Sequence, residues 1–178
     1  SYKALLMTNF FSEGSTPTEA TQLGGNDNTT RVQQIFVEAK GYSMAPNLTF
    51  WVGRRFYHRA DVHFDDSFYL FGGSSGATGA GVDNIGIGGA SLGVAVFRVT
   101  DATVGANAGT LLNADLQSLA VNPGGKLRVT GSLTKFSGVN GESGAGLSLQ
   151  HNQTGIFGAE NTLWLQLAKG STATDMMF

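Results

Sequence analysis

The sequence predicts an all-β chain of antiparallel strands joined up and down, in the manner of a transmembrane β-barrel. Three observations carry this. Apolar residues recur with period two and nowhere with a helical period. Glycine, proline and asparagine cut the chain into nine strand-length segments. The connections between the segments alternate, long after the first, short after the second, and so on along the chain. A soluble sandwich has no reason for that asymmetry, whereas a membrane barrel has short turns at one rim and long loops at the other.

The segments fall near 2–9, 31–40, 48–56, 82–88, 91–99, 111–121, 126–136, 144–153 and 161–169. The first opens on SYKALLMT, with neither an initiating Met nor a basic start, and reads as the middle of a strand rather than a signal peptide. Gly88-Gly89 separates VDNIGI from SLGVAVFRV. Asn122-Pro123-Gly124-Gly125 is a tight turn, since Pro presets one dihedral and Gly supplies positive φ. In KLRVTGSLTKF, Leu127, Val129 and Leu133 oppose Lys126, Arg128, Thr130, Ser132 and Thr134. Ala145, Leu147 and Leu149 oppose Gly146, Ser148 and Gln150, and Leu163, Leu165 and Leu167 again share a face. An Arg on a barrel's lipid face costs ~2–4 kcal/mol at the midplane, so the leucines are expected outward, with Arg128, Thr130, Ser132 and Gln150 in the lumen. Residues 1–178 read as one segment of a single barrel domain, with long polar loops near 10–30, 57–82, 100–110 and 137–144.

Composition narrows the function. Charged residues make up 13% of the chain, about half the usual share for a soluble domain. A net charge of −2 argues against a nucleic-acid partner, which calls for a basic patch or stripe. With no cysteine, disulfides and thiolate metal sites are excluded. No apolar run approaches the ~18–20 residues of a membrane helix, although barrel strands need only ~9–11.

One stretch departs from this sparing use of charge. In WVGRRFYHRADVHFDD, residues 51–66, Arg54, Arg55, Arg59, Asp61, Asp65 and Asp66 mix both signs with aromatics, His58 and His63. Read as a metal site, His58-x4-His63 matches no strong zinc spacing. Read as a hydrolase, Asp61, Asp65 or Asp66 would supply an acid pair, which needs a separation across substrate that spacing alone does not establish. Read as a solvated loop, the cluster needs no ligand. A soluble carbohydrate-binding β-sandwich remains the alternative architecture. The run GGSSGATGAG lacks the spacing of a dinucleotide fingerprint.

The stretch WVGRRFYHRADVH, followed in order by DDSFY, GAGVDNIGIG and NPGGKL, resembles the sugar-specific porins of the maltoporin family. The similarity runs over about residues 31–170 and is most specific at 51–66. The resemblance implies a barrel of about eighteen strands in a bacterial outer membrane. It implies a homotrimer that passes sugars by binding-assisted diffusion, without catalysis and without a cofactor. The third long loop folds into such a barrel and lines a constriction. Arginine offers a fixed fork of donors there and carboxylates offer acceptors, which suits hydroxyls that do both.

Carried over by position, Arg59 matches the track arginine after F-Y-x, Asp61 the acid of R-x-D-V-H, and Asp66 the constriction acid. Arg31 aligns with a further track arginine. Phe68 stands where the family has a pore-narrowing tyrosine, with Tyr69 beside it. Leu70-Phe71 replace Trp-Asp, and the loop tryptophan that reaches a neighbouring subunit has no counterpart, Phe10 or Phe11 being nearest. These departures bear on which sugar passes, maltodextrin-like or otherwise. With nine strands, the chain is expected to be an internal piece of a longer barrel, because an open sheet cannot satisfy its edges in lipid.

Overall fold

A computed structural model of the chain describes residues 1–11, 22–23, 29–58, 60–62, 67–69, 78–100, 108–136 and 143–171. The strands are β1 (Tyr2–Phe11), β2 (Gln22–Leu23), β3 (Thr29–Tyr42), β4 (Ala45–Arg54), β5 (Ala60–Val62) and β6 (Ser67–Tyr69). They continue with β7 (Thr78–Ile87), β8 (Ala90–Thr100), β9 (Ala108–Asn122), β10 (Gly125–Phe136), β11 (Ser143–Ile156) and β12 (Ala159–Gly170). The long strands form one sheet in the order β1-β3-β4-β7-β8-β9-β10-β11-β12, every neighbouring pair antiparallel, so the chain runs up and down. This is the arrangement of a partial barrel and not of a two-sheet sandwich. Among the described residues, β1 and β12 are each paired on one side only.

Turns explain the topology. At one end the strands are joined by the residue pairs 43–44, 88–89, 123–124 and 157–158. Gly88 and Gly89 both hold positive φ (55° and 86°), the hairpin geometry whose twist matches that of the flanking strands. At the other end the connections span 12–28, 55–77, 101–107 and 137–142.

The two faces reverse the pattern of a water-soluble sheet. Thr49, Asp83, Asn113, Asp115, Thr130, Ser132, Thr134 and Ser148 are buried on the inner face, while Leu133, Leu147, Leu163 and Leu165 are exposed on the outer one. Period two separates them, as the sequence implied. Register makes the outer set continuous: Val94, Ala114, Gly131, Leu147 and Leu167 lie in one row across five strands.

Strand ends differ from expectation in one informative place. The fourth strand stops at Arg54, and residues 55–58 leave it to lie over the inner face. The next long strand begins at Thr78, and its glycines leave room for aromatics on that face. A Cβ at Gly81 would sit within 2.7–2.8 Å of the Trp51 indole.

Candidate functional site: the inner-face network at the start of connection 55–77

Tyr57 is fully buried although it belongs to no strand. Its ring packs with Trp51 (centroids 5.1 Å apart) and Phe97 (5.5 Å), which with Ala95 and Leu111 form the apolar core of the inner face. Offset aromatic contacts of this kind add to the area term. Its hydroxyl donates to Asp83 Oδ1 at 2.7 Å. The His58 ring stacks on Tyr57 at 4.0 Å with a 20° tilt.

His58 also faces Asp115, which is wholly buried, Nδ1 to Oδ2 being 2.8 Å. A carboxylate oxygen only accepts, so Nδ1 is the donor. The same carboxylate accepts from Arg128 Nε (2.7 Å) and Nη2 (2.9 Å), Thr130 Oγ1 (2.9 Å) and Gln117 Nε2 (2.5 Å). Arg128 Nη2 reaches on to the His58 carbonyl at 2.5 Å. A buried carboxylate is tolerable only when paired and saturated with donors, and this one is. Arg55 lies 3.9 Å from both Glu38 and Asp83, with its guanidinium over the rings of Phe36 (4.7 Å) and Trp51 (4.9 Å). Gln34 Oε1 accepts from the Phe56 amide at 3.1 Å. Every residue from 55 to 58 is thereby tied to the sheet.

Two bulges adjoin the network. Asp83 and Asn84 together face Gly93, and Gln117 and Ser118 together face Arg128. Asn84 and Ser118 hold positive φ (65° and 63°), absorbing the extra residue, so Asp83 and Gln117 keep the inward face while the alternation beyond them shifts by one. Gly93 completes the site by lacking a side chain. A Cβ there would meet Tyr57 Oη at 2.6 Å, Asp83 Oδ1 at 2.8 Å and His58 Cε1 at 3.0 Å.

The residues singled out from sequence are placed unevenly. Arg59 and Asp66 lie outside the described residues, as do His63 and Asp65. Asp61 pairs with Phe68, and Tyr69 with Ala60, in the small β5–β6 hairpin. Arg31 is backed by Asn9 on one side and Gln22 on the other. Phe10 and Phe11 end β1, opposite Thr30 and Thr29. His58, weighed as half of a metal pair, has Asp115 as its partner, and among the described residues no group of metal-ligating side chains forms. Sequence reasoning missed Asp83 and Asp115. Each is a lone acid on the polar side of an alternating strand in a chain with few charges, and that signal was available.

A family model described as LamB porin matches residues 1–178. A maltoporin of Photobacterium profundum is 34% identical over 83 residues, which is 46% of this chain and 19% of that protein. A maltoporin of Vibrio cholerae serotype O1 (strain ATCC 39315 / El Tor Inaba N16961) is 33% identical over 81 residues, 45% of this chain and 19% of that protein. The matched stretch therefore covers under a fifth of the length of either relative.

Proposed function

The chain belongs to the LamB porin family, and from that premise we propose that it forms part of an outer-membrane channel for sugars. Passage is passive diffusion assisted by weak binding, with no covalent chemistry. The chain contributes an internal segment of a barrel that is completed by further strands beside β1 and β12. The observation that carries this reading is the anchoring of residues 55–58. The connection 55–77 starts flat against the inner face, its residues 57 and 58 held by Asp83, Asp115 and Arg128, as a segment that lines the lumen requires.

On this reading Arg59, Asp61 and Asp66 line the constriction, with Arg31 on the same track and Phe68 and Tyr69 narrowing the passage. Sugar hydroxyls donate to the acids and accept from the arginines, while ring faces slide on the aromatics. Several modest contacts suit transport better than one deep pocket, since each must release. The substrates are maltodextrin-like oligosaccharides or related carbohydrates, a reading supported by the name maltoporin that the relatives carry. The assembly is a homotrimer in which the connection 12–28, headed by Phe10 and Phe11, reaches a neighbouring subunit.

The test is sugar block of ion current through the full-length protein in a planar bilayer. Charge-assisted hydrogen bonds contribute ~1.5–3 kcal/mol when buried and less in a wet pore, so Arg59→Ala should weaken block by linear glucose oligomers several-fold. A quiet channel with unchanged sugar affinity would overturn the role given to Arg59.

A further inference from the structure

The outer face carries its cations at one end. Thr78, Arg98, Thr110, Lys135 and Ser143 occupy one register row across β7 to β11, and Lys169 stands opposite Ala145, one step below that row. All six are exposed. The row lies where the long connections emerge, directly beyond the apolar row Val96, Leu112 and Leu133. Among the described residues, Arg98, Lys135 and Lys169 make no ion pair, and no acid shares this face. Arg98 and Lys135 are two strands apart, about 10 Å at the usual spacing, which is within joint reach of one headgroup.

Below this row the outer face is hollowed. An open groove of about 610 Å³ is lined by Leu112, Ala114, Gly131, Leu133, Ala145 and Leu147, and Lys169 belongs to the same lining. At Gly131 an added Cβ would meet nothing within 4 Å. An apolar trough leading to unpaired cations is complementary to one kind of molecule: an apolar chain with an anionic head.

We propose that this surface binds a bilayer lipid bearing a phosphate monoester headgroup. The phosphate lies on Lys135, Lys169 and Arg98, and one acyl chain lies in the groove across Gly131. Threonine and serine hydroxyls of the same row add donors to phosphate oxygens, as neutral residues between cations do at phosphate sites generally. Long loops mark the external rim of a barrel, so the lipid belongs to the outer leaflet. This inference rests on the channel reading above, because it needs the outer face to meet lipid.

The experiment uses the full-length protein in phosphatidylcholine vesicles carrying trace spin-labelled phosphatidic acid or spin-labelled phosphatidylcholine. Electron spin resonance then reads the share of each lipid that the barrel restricts. Cations beside an anionic headgroup favour it measurably at each position, so the wild type should prefer phosphatidic acid roughly fivefold over phosphatidylcholine. In about 1 M NaCl, where screening acts within ~3 Å, that preference should fall towards unity. Arg98→Gln/Lys135→Gln/Lys169→Gln should abolish it, and Gly131→Leu, which fills the groove with the charges intact, should at least halve it. Lys126→Gln, at the opposite rim, should leave it unchanged. Equal restriction of both lipids by the wild type, or an unchanged preference in either the triple variant or Gly131→Leu, overturns the site. So does loss of the oligomer band on an unheated gel in the triple variant, which would make the row an interface between copies. Failure of the wild type to enter vesicles at all would strike the channel reading instead.

Discussion

The phenol of Tyr57 donates to the carboxylate of Asp83 at 2.7 Å, joining the start of the connection 55–77 to a bulge in β7 that lies 26 residues on. Both groups are buried. The bond closes a loop across the inner face, and it does so beside an equivalent tie from His58 to Asp115. The chain that leaves the sheet after Arg54 is thus held twice before residue 59.

Tyr57→Phe keeps the ring packing and removes one donor. A buried acceptor left without its partner costs about 1–3 kcal/mol, and Arg55, 3.9 Å away, compensates only in part. The expected result is a lower urea midpoint for the refolded protein and a noisier single-channel current. An equally quiet trace at unchanged stability would show that the tie does not hold the loop.

Asp115→Ala strips Arg128 of its main counter-charge. Breaking a buried pair from one side costs about 3–5 kcal/mol; the Arg128 side chain keeps 17% of its exposure, which moves the expectation to about 2–3 kcal/mol. A double-mutant cycle with Arg128→Ala should show strong coupling, since removing both leaves neither charge stranded. Additive losses would separate the two residues energetically and refute the network.

Gly93→Ala and Gly131→Ala form a matched pair. At 93 the new methyl collides with Tyr57, Asp83 and His58; at 131 it enters open space. Overpacking costs about 1–3 kcal/mol, so Gly93→Ala should lower the melting temperature of the folded band on unheated gels. Gly131→Ala should stay within about 0.5 kcal/mol of the parent. Comparable losses at both positions would contradict the assignment of faces.

Leu133 is 58% exposed in the isolated sheet. For a soluble protein, Leu133→Arg at such a site would be neutral or favourable. On a lipid face it should cost about 2–4 kcal/mol if near the midplane, read by urea unfolding in phosphatidylcholine vesicles. A variant as stable as the parent in vesicles would remove lipid from this face.

Deleting residues 12–28 from the full-length protein tests the proposed subunit latch. The oligomer band on an unheated gel should weaken while each barrel still folds. A band of full strength would leave that connection without the role.

The nine long strands, their order of turns and the division of faces were readable along the chain, because each rests on neighbours in sequence. Alternation places Leu133 and Ser132 on opposite faces whatever surrounds them. Gly88-Gly89 and Pro123-Gly124 specify tight turns through dihedrals that belong to those residues alone. Within the motif at 51–66, Tyr57 and His58 meet the sheet.

The tertiary structure decided which partners they meet. Asp83 and Asp115 lie in strands β7 and β9 and come together around Gly93 only because β8 runs between them. Bulges at Asn84 and Ser118 shift the alternation by one residue, and no period-two count along a single strand reveals an insertion defined by its neighbour's register. The cationic row of Arg98, Lys135 and Lys169 is likewise invisible in one dimension. Three residues scattered over the chain become one surface when antiparallel pairing aligns the strands that carry them, because lateral hydrogen bonding, and not sequence distance, sets which side chains share a face at a given depth.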